Sequence, residues 1–278
     1  LAIALHELGF IATELGHFDE AEKSLNAGLA IHLENFDDSN VSRSLHELGR
    51  LSQKRGDYGK ANDYYHQSID LKSKIEDTVG SAQVLHQLGN LALIQGHFPE
   101  AEGLYQQSLA QRISVGDKIG TAQTMHQIGI LNHQQGKMEK AKDYYLRSLE
   151  VFNQLGAIRE IADSRFQLGM LFEDTRELKK AQNHYEKSGE IYKLLNPSSE
   201  AANCYRTLAL IHINLNENDL AKARLKTSIE LERVAENQLG LRISLVNLAL
   251  LNEELKDFSA AKHLIENAIK IDQELDLS

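Results

Sequence analysis

The sequence predicts an all-α fold, a solenoid built from seven helical hairpins. Three observations carry this prediction: a spacing of 40 residues that recurs through the whole chain, a near absence of proline, and apolar residues at helical intervals. Two prolines in 278 residues are far fewer than the average usage of about 5%, and long uninterrupted helices fit that composition. Seven repeats of 40 residues account for the whole length, so no room remains for a second, unrelated domain.

The repeat is visible in columns of residues that recur at the same position. One column is small, a second is always alanine, and a third is leucine or isoleucine. The first contains Gly9, Gly49, Gly89, Gly129, Gly169, Ala209 and Ala249. The second contains Ala21, Ala61, Ala101, Ala141, Ala181, Ala221 and Ala261, and the third Leu8, Leu48, Leu88, Ile128, Leu168, Leu208 and Leu248. The repeats are therefore 1–40, 41–80, 81–120, 121–160, 161–200, 201–240 and 241–278.

Each repeat contains a helix, a turn and a second helix. The first helix carries apolar residues at positions 5, 8 and 12 of the repeat, which share one helical face. A polar turn follows, as at Gly56, because glycine readily adopts the left-handed conformation that ends many helices. The second helix then begins, near Tyr58 in repeat 2. In repeats 5–7 the turn glycine is replaced, so we expect less regular packing there; the replacements are Arg176, Asn216 and Lys256.

These columns resemble the tetratricopeptide repeat along the whole chain. The 40-residue repeat is six residues longer than the usual length of about 34, and is similar to the long-helix variety found in Pins/LGN, kinesin light chain and bacterial regulatory proteins. The segments 85–89 (LHQLG) and 116–120 (GDKIG) are close to that variety. The resemblance implies a right-handed superhelix whose first helices line a concave groove, and a role in binding other proteins.

The resemblance also places ligand-facing residues at positions 3, 6, 10, 13 and 14 of each repeat. Helical spacing agrees, because positions 3, 6, 10 and 13 form a stripe separate from the apolar positions 5, 8 and 12. This groove stripe turns acidic at Asp163, Glu173 and Asp174. The predicted peptide-binding residues are Arg43, His46, Arg50, Gln83, His86, Asn90, Gln123, His126, His133 and Arg206.

Four histidines in the groove stripe recur once per repeat, at His6, His46, His86 and His126. Three interpretations are open: the histidines are copied with the repeat and fill a semi-exposed groove, they join a polar track for an extended peptide, or they bind a metal. Successive repeats lie about 8–10 Å apart, whereas zinc needs several nitrogens about 2.1 Å from one ion. The metal interpretation is therefore the weakest, and we predict no cofactor.

The sequence contains no catalytic motif. A glycine-rich phosphate loop, a G-x-S-x-G turn and an H-E-x-x-H helix are all missing from it. The single cysteine, Cys204, occupies a column of small residues, which is typical of an inert structural thiol. We therefore predict that this chain is not an enzyme.

The net charge of the chain restricts the classes of partner that it is expected to bind. The net charge is −10 and the isoelectric point is about 5.7, whereas nucleic-acid-binding domains usually exceed about 9. We therefore expect neither nucleic acid nor an anionic membrane as partner. With one lysine and eight acidic residues, repeat 1 carries a net charge of −7, while the groove stripe of repeats 2–4 is basic to neutral. An acidic ligand group would face Arg43 and Arg50.

The leading hypothesis is a protein-interaction scaffold that binds a peptide segment of a partner in the concave groove. One alternative is a sensor or autoinhibitory arm of a larger bacterial signalling protein, either a nucleotide-switch ATPase or a caspase-like protease. Its partners would then include other domains of the same polypeptide, and Leu1 within a predicted helix favours a fragment of that kind. The third is a solenoid that self-assembles through its ends. No signal peptide or long apolar run is present, so we expect a cytoplasmic protein.

Overall fold

The structure is a computed structural model that describes residues 1–196 and 198–275. Within these residues the chain forms fourteen α-helices and no β-strand, which confirms the all-α class and the two helices per repeat. In chain order the helices are α1 (Ala2–Glu14), α2 (Phe18–Glu34), α3 (Asp38–Arg55), α4 (Tyr58–Lys74), α5 (Thr78–Ile94), α6 (Phe98–Ser114), α7 (Lys118–Gln134), α8 (Met138–Leu155), α9 (Ile158–Asp174), α10 (Leu178–Leu195), α11 (Ser199–Asn214), α12 (Asn218–Val234), α13 (Gln238–Glu254) and α14 (Phe258–Glu274).

The helices belong to two compact units, unit 1 (Leu1–Gly136) with α1–α7 and unit 2 (Lys137–Ser278) with α8–α14. Within each unit, a helix packs chiefly on the helix before it and the helix after it in the chain. The boundary falls inside repeat 4, and residues 276–278 of repeat 7 lie outside the described residues. The single array over 1–278 therefore stays a prediction.

Small residues let the two helices of a hairpin approach closely. A methyl group added to Gly49 on α3 would lie 2.6 Å from the ring of Tyr65 on α4, so only glycine leaves room for this fully buried side chain. Further along α4, the Ser68 hydroxyl donates a hydrogen bond of 2.7 Å to the carbonyl oxygen of Ser42 on α3. The glycine and serine columns thus bring the paired helices together with their polar groups satisfied.

The turns of repeats 5–7 keep the conformation that glycine has in repeat 2. Gly56 has a φ of 84°, and Arg176, Asn216 and Lys256 have φ values of 63°, 60° and 64°. Helices α9–α14 are 16 to 18 residues long, similar to those before them. The expected irregularity in repeats 5–7 is therefore wrong, because hairpin packing offsets a left-handed residue that costs about 1–2 kcal/mol.

No helix among the described residues combines the length and the apolar character needed to cross a membrane.

Candidate functional site

Unit 1 contains a concavity of about 300 Å³ that draws side chains from four helices. We call it the unit 1 concavity. Three of the predicted groove residues, Arg43, His46 and Gln83, line it together. The full lining is His6, Glu7 and Phe10 from α1, Arg43, His46 and Glu47 from α3, Lys72 from α4 and Gln83 from α5. Polar and charged groups from three successive first helices thus converge on one space.

Two histidines of the groove stripe, His46 and His86, pack on tyrosines of the second helices. The ring centroids of His46 and Tyr65 are 5.7 Å apart, and those of His86 and Tyr105 are 5.8 Å apart. In unit 2, Phe166 takes the same repeat position and lies 5.3 Å from the ring of Tyr185. Since phenylalanine can replace histidine here, ring packing is a structural role shared by this column.

Burial keeps these histidines neutral. Desolvation lowers the pKa of His46 and of His86 to about 3 and that of His126 to about 4. It also lowers the pKa of His6, with a smaller contribution from the charge of Arg43. At neutral pH these rings offer hydrogen-bonding nitrogens without a positive charge. The His86 Nδ1 lies 3.2 Å from the Thr124 hydroxyl, whereas the buried His46 Nδ1 has no hydrogen-bond partner.

The two arginines predicted to face an acidic ligand lie in different surroundings. Arg50 forms ion pairs with Glu14 at 2.8 Å and Glu47 at 2.9 Å, and its guanidinium lies 5.2 Å from the ring centroid of Phe10. Its charge is balanced within the protein, and it does not line the unit 1 concavity. Arg43 has only a 3.4 Å contact with Glu7, and both side chains are half-exposed. Such exposed pairs contribute about 1 kcal/mol or less.

Other predicted groove residues satisfy buried groups of the protein. The Asn90 side-chain oxygen accepts a 2.7 Å hydrogen bond from the hydroxyl of Tyr105. Arg206, the one predicted site residue in unit 2, contacts the buried carboxylate of Glu232 at 3.2 Å and donates to Asn203 at 2.7 Å. Gln83 is exposed and His86 is buried. Gln123 and His133 are half-buried on their first helices.

Three lining residues lie outside the predicted groove positions: Glu7, Glu47 and Lys72. Lys72 is the one among them that comes from a second helix. It lies on the second helix of its repeat, at position 32, and only 6% of its side chain is exposed. Its ammonium contacts the Asp77 carboxylate at 3.0 Å, and a methyl group on Gly80 would lie 2.3 Å from its Nζ. The absence of a side chain at Gly80 therefore leaves the space that the ammonium occupies.

The same arrangement recurs one repeat later. Arg112 lies 3.6 Å from Asp117, and a methyl group on Gly120 would lie 1.8 Å from its Nη1. The sequence carries a signal for this arrangement. Repeats 2 and 3 each have a cation at position 32, an aspartate at position 37 and a glycine at position 40. In repeats 4 and 5, where position 40 is glutamate, position 32 is aromatic instead, as Phe152 and Tyr192.

The charges around the unit 1 concavity are mixed. Lys72 and Arg43 are its cations, and Glu7 and Glu47 are its acidic residues. Burial raises the pKa of Glu47, although Arg50 opposes that shift. Among the described residues, no group of three or more histidine, cysteine, aspartate or glutamate side chains could hold a metal ion. The arrangement can bind polar groups of a ligand.

Comparison with known proteins places the sequence beside one family. A family model described as a tetratricopeptide repeat matches residues 1–74 and 80–154, which is more than half of the chain. A second model with the same description matches residues 244–275. A comparison with curated proteins found no match to this chain.

Several solved structures share the fold. BtubC (BKLC) from P. vanneervenii aligns with a TM-score of 0.61 at 20% identity, over 87% of this chain and 92% of that chain. A STAND signal-transduction ATPase with a tetratricopeptide repeat sensor, from Pyrococcus horikoshii, aligns with a TM-score of 0.80 at 16% identity, over 99% of this chain and 43% of that chain. A Rap protein complexed with Competence and Sporulation Factor aligns with a TM-score of 0.66 at 14% identity, over 92% and 81%. At these identities the likeness concerns the fold alone.

Proposed function

Because the chain belongs to the tetratricopeptide repeat family, we propose that it is a protein-interaction module whose unit 1 concavity binds a peptide segment of a partner. The observation that carries the proposal is the convergence of side chains from α1, α3 and α5 on one space of about 300 Å³. Pockets of about 300–1,000 Å³ are typical of small-ligand sites, so this space accommodates one or two side chains of a peptide.

The chemistry of the lining suits a polar peptide segment. Gln83 and Arg43 are exposed at the concavity and can donate hydrogen bonds to peptide carbonyl groups. Phe10 adds an apolar surface, and the neutral rings of His6 and His46 add nitrogens without charge repulsion. The net charge of −10 disfavours a nucleic acid as the ligand.

Selection of phage-displayed random dodecamers on the immobilised chain tests this proposal. Peptides that bind wild type should lose at least about tenfold in affinity for Gln83→Trp, because the indole would fill the concavity. Gln67→Trp is the matched control, since Gln67 is an exposed glutamine of α4 outside the concavity. Equal affinity of the selected peptides for wild type and Gln83→Trp, or a failure to select any peptide, would refute the proposal.

A second candidate function is a sensor arm within a larger signalling protein. It is favoured by the alignment of 99% of this chain with 43% of a STAND protein that has a tetratricopeptide repeat sensor. In that role the ligand of the concavity would be a regulator or another segment of the same polypeptide. The complete open reading frame tests this candidate: a nucleotide-binding or protease domain beside this segment supports it, and a repeat array alone contradicts it.

A further inference from the structure

We propose that the unit 1 concavity selects peptides that carry an acidic side chain, and that Lys72 is the residue that binds the carboxylate. This inference rests on the proposed function, since it specifies the chemistry of the peptide bound at the same site. It differs from the sequence-based expectation, in which Arg43 and Arg50 would face the acidic group.

Among the described residues, the Lys72 ammonium has a single acceptor, Asp77, and Asp77 also accepts from another donor. The Lys72 side chain is 6% exposed, and its one hydrogen-bond partner among the described residues is Asp77, at 3.0 Å. An ammonium group has three N–H donors, and burial of a charge is costly unless its donors are satisfied. The Asp77 carboxylate also accepts a 2.8 Å hydrogen bond from the backbone N–H of Gly80, so it is shared between two donors.

The fold accepts an aromatic residue as well as a cation at this position of the repeat. In unit 2 the same repeat position is occupied by Phe152 and Tyr192, and both pack as buried core residues. An aromatic side chain therefore fills the space between repeats without the desolvation cost of a charge. Lys72 instead brings a positive charge to the lining of a polar concavity, and Gly80 leaves space for it. Asp77 pairs with that charge from one side, and a ligand carboxylate would accept a hydrogen bond from a further N–H of the ammonium.

The other charges at the site also favour an acidic ligand group. Glu47 is already paired with Arg50 at 2.9 Å, so it does not compete for Lys72. The pair between Arg43 and Glu7 is long, at 3.4 Å, and exposed, so an incoming carboxylate can displace Glu7 from Arg43 at little cost. A carboxylate in the concavity would then have Lys72 as its buried partner and Arg43 as a second cation. A basic peptide side chain would be repelled by Lys72 and Arg43, and a neutral one would accept a weaker hydrogen bond from Lys72 than a carboxylate does.

The test uses the dodecamers selected on the full chain. Substitution of their acidic residues, glutamate to glutamine or aspartate to asparagine, should weaken binding about tenfold or more, as expected for a hydrogen bond to a charged group. Lys72→Gln should cause the same loss, and Lys72→Arg should restore part of the affinity. Lys74→Gln is the matched control, because it removes an equal charge from the same helix at an exposed residue that pairs with Asp38.

The outcomes separate this inference from the proposed function. The inference is refuted if the selected peptides lose affinity for Gln83→Trp but contain no acidic residue. It is also refuted if they bind Lys72→Gln as tightly as wild type. In both cases the proposed function stands. Failure to select any peptide refutes both. Competition by inorganic phosphate at concentrations where acetate does not compete would identify a phosphate site and contradict the choice of a carboxylate. Thermal unfolding of Lys72→Gln by circular dichroism identifies a loss of binding that comes from misfolding.

Discussion

Replacing His46 and His86 by phenylalanine should remove a large part of the sensitivity of the protein to acid. Each ring packs against a buried tyrosine, at centroid distances of 5.7 and 5.8 Å. Phe166 makes the equivalent contact at 5.3 Å in unit 2, so phenylalanine fits the position. The double variant should therefore fold, and should differ from wild type mainly in the protons that it binds.

The magnitude follows from the pKa of each histidine in the folded and unfolded states. The ordinary pKa of histidine is 6.5, and burial lowers that of His46 and of His86 to about 3 in the folded protein. Below pH 6.5 the unfolded state binds more protons than the folded state, so stability falls with decreasing pH until about pH 3. The slope approaches about 1.4 kcal/mol per pH unit for each histidine. At pH 5 the loss is about 2 kcal/mol per histidine, or about 4 kcal/mol for both.

Urea unfolding at pH 7 and pH 5 measures this loss. The chain has no tryptophan, so helix ellipticity is the appropriate signal. Between the two pH values, wild type should lose about 4 kcal/mol more of its free energy of unfolding than the double variant. His66→Phe on α4 is the control, because His66 is exposed. Equal losses in wild type and the double variant would show that these histidines are not held neutral by burial.

Two further predictions concern packing and buried charge. A methyl group at Gly49 would lie 2.6 Å from a buried tyrosine ring, so Gly49→Ala should destabilise the protein by about 1–3 kcal/mol. Gly59→Ala, where the nearest atom is 3.9 Å away, should stay within about 1 kcal/mol of wild type; equal urea midpoints for the two variants would contradict this. Arg206→Met should cost about 3–5 kcal/mol, because it leaves the carboxylate of Glu232, which is 1% exposed, without its cation. Arg159→Met is the control, because Arg159 pairs with Glu200 at the surface; its free energy of unfolding should fall by less than about 1 kcal/mol. A similar loss of stability in Arg206→Met and Arg159→Met would contradict the role of burial.

The fold was predictable from the sequence because small and apolar residues recur at the same positions in successive repeats. Gly49 lies opposite the buried ring of Tyr65, and Gly89 and Gly169 lie opposite tyrosines in the same way. The 40-residue period therefore reveals which residues must be small. The turns of the late repeats were harder. Arg176 gives no local sign of a left-handed conformation, and its φ of 63° follows from the packing of the helices on either side.

The candidate site was predictable only in part. Arg43, His46 and Gln83 were identified because they share the groove stripe of the first helices, and all three line the unit 1 concavity. Lys72 was missed because it lies on a second helix, and its long side chain reaches the concavity only where Gly80 leaves space. Arg50 was assigned to a ligand because helical spacing does not reveal partners in the preceding repeat, such as Glu14, 36 residues away.

Photo-crosslinking shows whether a peptide binds in the unit 1 concavity. A photoreactive phenylalanine replaces Gln83, which lines the concavity, or Gln67, which is equally a surface glutamine but lies on α4 outside it. Each chain is irradiated with a selected dodecamer, and the product is mapped by mass spectrometry. A peptide bound in the concavity should crosslink from position 83 and not from position 67. Crosslinking from position 67 alone would contradict binding in the concavity.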